Sequence, residues 1–178
     1  GVHLLDVARW GLGIEYPDRV IATGGRVSEV DGTRTPETLT VQYAYPQTTI
    51  LWEHRLWTPH GNEGRATGVA FYGEKGTLIV DRSGWKVYDR SDSLTADASE
   101  LRRAHLSDFY TAVRSRPQPA CDLRTGHISS TLCHLGNIAY RLGREVAFDP
   151  QSQSFGDDAQ ANRLLRREKR SPWAVPTP

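Results

Sequence analysis

Methionine is absent from all 178 residues, and the chain begins at Gly1. An unprocessed translation product starts with Met. The chain is therefore expected to lack an upstream segment, the more so because residues 1–10 already read as a helix in progress. Cysteine is almost as scarce. Cys121 and Cys133 alone exclude a disulfide framework, and with one in a loop and the other in a helix a bridge between them is not expected. Lysine occurs only at positions 75, 86 and 169, so 22 − 3 = 19 of the basic residues are Arg. The arginines are scattered, which points to a coding bias rather than a phosphate-binding stripe. Their one cluster, Arg163, Arg166, Arg167, Lys169 and Arg170, reads as a solvated helix face.

Charge of either sign is not in excess. A net charge of +1 supplies no field to steer nucleic acid or an anionic membrane, so neither is expected as a partner. No apolar run approaches the roughly 18 residues that span a bilayer. Phosphate-binding loops are missing too. Gly11-Leu12-Gly13 fails as a dinucleotide fingerprint, because position 16 is Tyr and the glycines follow a helix instead of a strand. They read as a helix stop. Ser129-Ser130 lack the Gly-x-Ser-x-Gly elbow of serine hydrolases.

What is present fits one globular domain with a sizeable core, assigned to residues 1–150, and a helix with a Pro-rich tail over 151–178. Leu4, Leu5, Ala8 and Leu12 keep a helical period, which Gly11 and Gly13 end. Residues 19–27, 38–45 and 48–57 read as strands, the last two as a hairpin around Pro46-Gln47. Residues 65–72 and 77–81 make a second hairpin, and 84–89 add a short strand. Asp97 and Glu100 resemble a capping box before Leu106, Phe109 and Val113. Ile128, Leu132, Leu135, Ala139 and Leu142 give the strongest helical period, closed by Gly143. Ala147 and Phe148 suggest one more strand, and Asp157 or Asp158 a cap for a last helix reaching Arg167. Strands in a run followed by helices indicate an α+β fold. The expectation is an open, mostly antiparallel sheet of about six strands, with helices on one face and no Rossmann domain.

His3 and Asp6, spaced i, i+3, share a helical face, and an imidazole beside a carboxylate suits a general base near neutral pH. A surface His beside a helix-favouring Asp is the plainer alternative. His127 and His134, seven apart, also share a face next to Cys133, but too few ligands accompany them for a metal, and none is expected. His127 is a candidate to line a polar pocket. His54 lies with Ile50, Trp52 and Leu56 on one strand face, either as a pocket residue or as a hydrogen-bonded core histidine. Trp10, Trp52, Trp57, Trp85 and Trp173 read as packing anchors.

Several segments together resemble one family. Gly1-Val2-His3-Leu4-Leu5-Asp6-Val7-Ala8-Arg9-Trp10-Gly11-Leu12-Gly13 resembles the His-x-x-Asp helix of the glucose–fructose oxidoreductase / inositol dehydrogenase (Gfo/Idh/MocA) family. Phe71-Tyr72-Gly73-Glu74-Lys75-Gly76-Thr77-Leu78 is similar to its F-x-G-x-x-G-T-L hairpin. His105-Leu106-Ser107-Asp108-Phe109, Gly126-His127-Ile128-Ser129 and the run from His134 to Arg144 are similar to its C-terminal helices. Phe148-Asp149-Pro150 and Arg170-Ser171-Pro172-Trp173 resemble the tails of members from environmental bacteria.

The resemblance implies the C-terminal α+β domain of a two-domain, NAD(P)-dependent oxidoreductase acting on a sugar, inositol or related polyol. It implies NAD or NADP held by an N-terminal Rossmann domain that also carries a catalytic Lys, with no cofactor-binding residue in this chain. It implies a homo-oligomer formed through the sheet face. His3 matches the residue that contacts the substrate hydroxyl and accepts its proton, and His127 and His54 are pocket candidates. Asp6 matches a trailing Asp of structural role. Two rival expectations are an NAD-dependent glycoside hydrolase of the same family and a non-catalytic dimerising module. The chain alone is expected to be inactive.

Overall fold

A computed structural model describes residues 1–27, 35–58, 60–88, 93–167 and 172. Among them are helix α1 (Val2–Leu12), strands β1 (Arg19–Gly25), β2 (Thr38–Ala44), β3 (Thr49–Arg55), β4 (Val69–Gly73), β5 (Gly76–Asp81), β6 (Gly84–Val87) and β7 (Ser93–Thr95), and helices α2 (Ala98–Ser115), α3 (Leu123–Leu142) and α4 (Ala159–Leu164). The class is α+β. The strands are antiparallel and form two open sheets, β1-β2-β3 and β4-β5-β6-β7, where the sequence suggested one. The chain divides into two compact units, Gly1–Glu15 with Arg55–Thr131 and Tyr16–His54 with Leu132–Pro178.

In the first unit α1 buries Leu5 and Ala8. Gly13, at φ 65°, turns the chain out of the helix in the left-handed conformation. The Ile14 N–H returns to the Arg9 carbonyl at 3.1 Å and the Gly13 N–H to Trp10 at 3.2 Å, a Schellman closure. Gly13 is therefore the helix stop. Gly11 does a different job, because a Cβ there would stand 2.6 Å from the tip of the Phe71 ring. Its bare backbone lets α1 lie against β4.

The β4–β5 hairpin pairs Gly73 with Gly76, so Glu74-Lys75 form a two-residue turn. Gly76 has φ 141°, a conformation that L side chains rarely adopt. Asp97 caps α2 by accepting the Ser99 N–H at 2.7 Å. Glu100, the other half of the expected box, pairs with Arg103 at 3.1 Å instead. No residue of α2 is buried, and its apolar stripe of Leu106, Phe109 and Val113 faces solvent. Asp122 accepts the Thr125 N–H at 2.7 Å and starts α3.

The second unit holds the β1-β2-β3 sheet. Val20 and Ala22 alternate with exposed neighbours, as do Leu39, Val41 and Tyr43 on β2, and Ile50 is buried on β3. Leu132, Leu135, Ile138 and Ala139 of α3 are also buried in this unit. Tyr43 Oη donates to the Leu132 carbonyl at 2.9 Å. At Gly136 a Cβ would approach Tyr43 Oη to 2.8 Å and Val41 to 3.2 Å, so glycine permits the close fit of helix on sheet. Gly143 closes the helix at φ 64°, as its spacing predicts. Phe155 stacks edge-on to Phe148 with ring centroids 5.4 Å apart, joining residues beyond 150 to this core.

Several expected boundaries shift. β3 ends at Arg55, so Leu56 and Trp57 lie beyond the strand and are exposed. β4 begins only at Val69, after Gly68. The strand expected at Ala147 and Phe148 is instead a single bridge from Val146 to Val20. Asp158 caps α4 by accepting the Ala161 N–H at 3.1 Å, and that helix stops at Leu164 rather than Arg167. Trp173, Lys169, Arg170 and Ser171 lie outside the described residues.

Candidate functional site

α1 carries the residue on which the sequence reading centres. His3 sits in its first turn, exposed, with no side-chain partner among the described residues. One turn later Asp6 is engaged through one carboxylate oxygen. Its Oδ1 accepts from the Ser129 hydroxyl at 2.5 Å and from Arg9 Nη2 at 3.3 Å. Arg9 closes the figure, donating through Nε to Ser129 Oγ at 3.2 Å and through Nη1 to the Ile14 carbonyl at 3.4 Å. Ser129 is 1% exposed. A hydroxyl this deep must be paired, and both its donor and an acceptor position are used. The spacing joined His3 to Asp6; the structure joins Asp6 to α3.

Around this triad lie further polar groups of the same unit. Arg124 grips the Glu15 carboxylate with both amino nitrogens, one contact measuring 2.7 Å. That hydrogen bond holds the Glu15 carboxyl below its usual range. The pair is exposed, so its contribution to stability is small. The Cys121 thiol is pushed up, first by desolvation and then by the Asp6 charge, so it is a poor nucleophile at neutral pH.

His127 belongs to this unit as well. It is exposed on α3, two residues before Ser129, and its carbonyl accepts the Thr131 hydroxyl at 2.8 Å. The triad thus ties together the two helices that carry His3 and His127. His54 belongs to the other unit. Its Nδ1 accepts from Trp52 Nε1 at 3.1 Å, and its Nε2 lies 3.2 Å from the Pro36 carbonyl. An indole nitrogen only donates and a carbonyl only accepts, so these partners assign the proton to Nε2. Both ring nitrogens are then occupied.

Among the described residues no group of three or more His, Cys, Asp or Glu side chains is placed to hold a metal ion. A dinucleotide does not fit α1 either. Gly11 and Gly13 stand at the C-terminal end of that helix, where carbonyls rather than N–H groups point outward, and this end repels phosphate. A surface hollow of about 390 Å³ on α2, lined by Ala98, Ser99, Arg102, Arg103 and Leu106, contains none of the candidate histidines. No helix among the described residues is long and apolar enough to cross a membrane.

The pairing of Arg9 and Ser129 with Asp6 is not foreseen from the sequence. The available signals were the i, i+3 spacing of Asp6 and Arg9 and a small hydroxyl beside Ile128 in the buried stripe of α3.

Comparison with known proteins adds an independent line. A family model described as "Oxidoreductase family, C-terminal alpha/beta domain" matches residues 73–175, more than half of the chain. Among solved structures, an Agrobacterium radiobacter oxidoreductase in complex with NAD+, L-tartaric acid and magnesium aligns with a TM-score of 0.63 at 18% identity, over 83% of this chain and 47% of that one. UDP-N-acetylglucosamine 3-dehydrogenase from Acidithiobacillus ferrooxidans aligns at 0.60 and 18%, over 79% and 45%. An oxidoreductase from Thermotoga maritima aligns at 0.60 and 17%, over 83% and 42%. These likenesses show a shared fold, and the chain spans about half the length of each structure. Comparison with curated protein sequences finds no match. On the family model and the α+β architecture together, the chain belongs to the Gfo/Idh/MocA oxidoreductase family and corresponds to its C-terminal α/β domain.

Proposed function

We propose that this chain is the substrate-binding part of an NAD(P)-dependent oxidoreductase acting on a sugar, inositol or related polyol, and that His3 accepts the proton of the reacting hydroxyl. One observation carries the assignment to His3. Its ring is exposed and has no side-chain partner among the described residues, while Asp6, its neighbour on the helix, is held through Oδ1 by Arg9 and Ser129. A proton acceptor needs an accessible ring nitrogen on a fixed backbone, and α1 is fixed by that triad. The UDP-N-acetylglucosamine 3-dehydrogenase among the structural relatives acts on a sugar, which favours this substrate class.

The cofactor is proposed to be NAD or NADP, held by residues outside this chain, since the glycines of α1 form no phosphate cradle. Hydride transfer is the cofactor's chemistry; this domain orients the carbinol and takes its proton. His127, in the same unit, is the second pocket candidate. His54 ranks last, because its ring already serves Trp52 and Pro36.

The test uses two samples. The full-length gene product should reduce NAD or NADP with at least one member of a panel of UDP-sugars, inositols and free sugars. The chain of 178 residues should show no tight NAD(P) binding by calorimetry and no turnover. Tight binding by the chain alone would overturn the division of labour. Sugar release from a chromogenic glycoside without net cofactor reduction would replace oxidation with glycoside cleavage.

The outward face of the β1-β2-β3 sheet favours an added role in self-association. It leaves Ile21 45% and Leu51 68% exposed. A homo-oligomer through this face predicts that Leu51→Glu lowers the sedimenting mass; a wild-type chain that is monomeric at micromolar concentration would count against it.

A further inference from the structure

We infer that Ser129 is a positioning residue for His3, acting through Asp6 and Arg9 to set the orientation of α1. This rests on the proposed role of His3, and it begins from the anchoring of the helix. The apolar anchors Leu5 and Ala8, with bare Gly11 against Phe71, hold the helix down. The hydrophobic driving force is non-directional, so these contacts hold the helix down more firmly than they fix the direction of its polar face. Hydrogen bonds are directional and do fix it.

Asp6 and Arg9 of α1 both meet α3 at one atom, Ser129 Oγ. It donates to Asp6 Oδ1 at 2.5 Å and accepts from Arg9 Nε at 3.2 Å. Asp6 and Arg9 also meet each other at 3.3 Å. Removing the hydroxyl leaves that ion pair whole within α1 but removes both of these hydrogen bonds to α3. The loss should therefore appear as altered placement of α1 rather than as collapse of the helix. His3, one turn from Asp6, moves with it. Misplacing a reacting group by about 1 Å can cost on the order of a hundredfold in rate.

Ser129→Ala and Ser129→Thr separate this role from a merely structural one. In the full-length enzyme Ser129→Ala should lower kcat roughly 10- to 100-fold with cofactor KM changed less than about twofold, and Ser129→Thr, which keeps the hydroxyl, should recover most of it. In the 178-residue chain, Ser129→Ala should shift the His3 ring resonances and speed amide exchange in Val2–Leu12, with α3 unchanged and Ser129→Thr close to wild type. Unchanged His3 resonances and unchanged α1 exchange in Ser129→Ala would overturn the link. So would equal loss of kcat in the Ala and Thr variants when both are folded. If His3→Ala itself left turnover intact, the reading of His3 would fail, while the exchange measurement would still decide whether Ser129 sets α1.

Discussion

Tyr43 Oη donates to the Leu132 carbonyl at 2.9 Å, and the space that admits the phenol exists because residue 136 is glycine. Burial of the ring pushes its acidity far outside the physiological range, so the hydroxyl stays a donor at any pH the protein meets. Tyr43→Phe should cost about 0.5–1.5 kcal/mol of stability. Gly136→Ala should cost about 1–3 kcal/mol, because the new Cβ meets Tyr43 and Val41. The double variant should cost less than the sum, since removing the hydroxyl clears the tightest contact. Urea unfolding of the four proteins checks the cycle, and strict additivity would deny the contact.

Arg65 pairs with Asp81 on β5, and that hydrogen bond, helped by the Ser83 N–H, holds the Asp81 carboxyl below its ordinary value of 3.8. A carboxyl depressed in the folded state stabilises the fold above that value and loses the contribution as pH falls through the folded one. Denaturation midpoints should therefore drop more steeply below about pH 4 in the wild type than in Arg65→Leu. Parallel curves for the two would show that the pair contributes nothing.

Cys121 is exposed, yet desolvation and the nearby Asp6 charge raise its thiol above the ordinary value. In a Cys133→Ser background its alkylation at neutral pH should be slower than that of a cysteine in a short peptide. Asp6→Asn should speed it, because one of the groups that disfavours the thiolate is gone. An unchanged rate would place Asp6 out of electrical reach.

The sequence made the second half of α3 legible because Leu132, Leu135 and Ala139 repeat at helical spacing, and each is buried in the structure. The strands of β1 and β2 were equally plain, since β-branched and aromatic residues alternate there. The division into two sheets was not. Residues 56–68 contain Pro59, Gly61, Gly64 and Gly68, and an isolated strand pattern says little about which partner it will find. At the candidate site the local pair His3 and Asp6 could be read from spacing, whereas Ser129 lies 123 positions from Asp6. No local period announces a contact of that range. Only tertiary packing of α1 on α3 turned a small hydroxyl in an apolar stripe into the partner of a carboxylate.

The central claim is that His3 handles the proton in a domain that does not hold the cofactor. Steady-state kinetics of His3→Ala in the full-length enzyme test it most directly. The account predicts a fall in kcat on the order of 10²- to 10⁴-fold, with cofactor affinity changed less than about twofold. Wild-type turnover, or an equal loss of turnover and cofactor affinity, would contradict it.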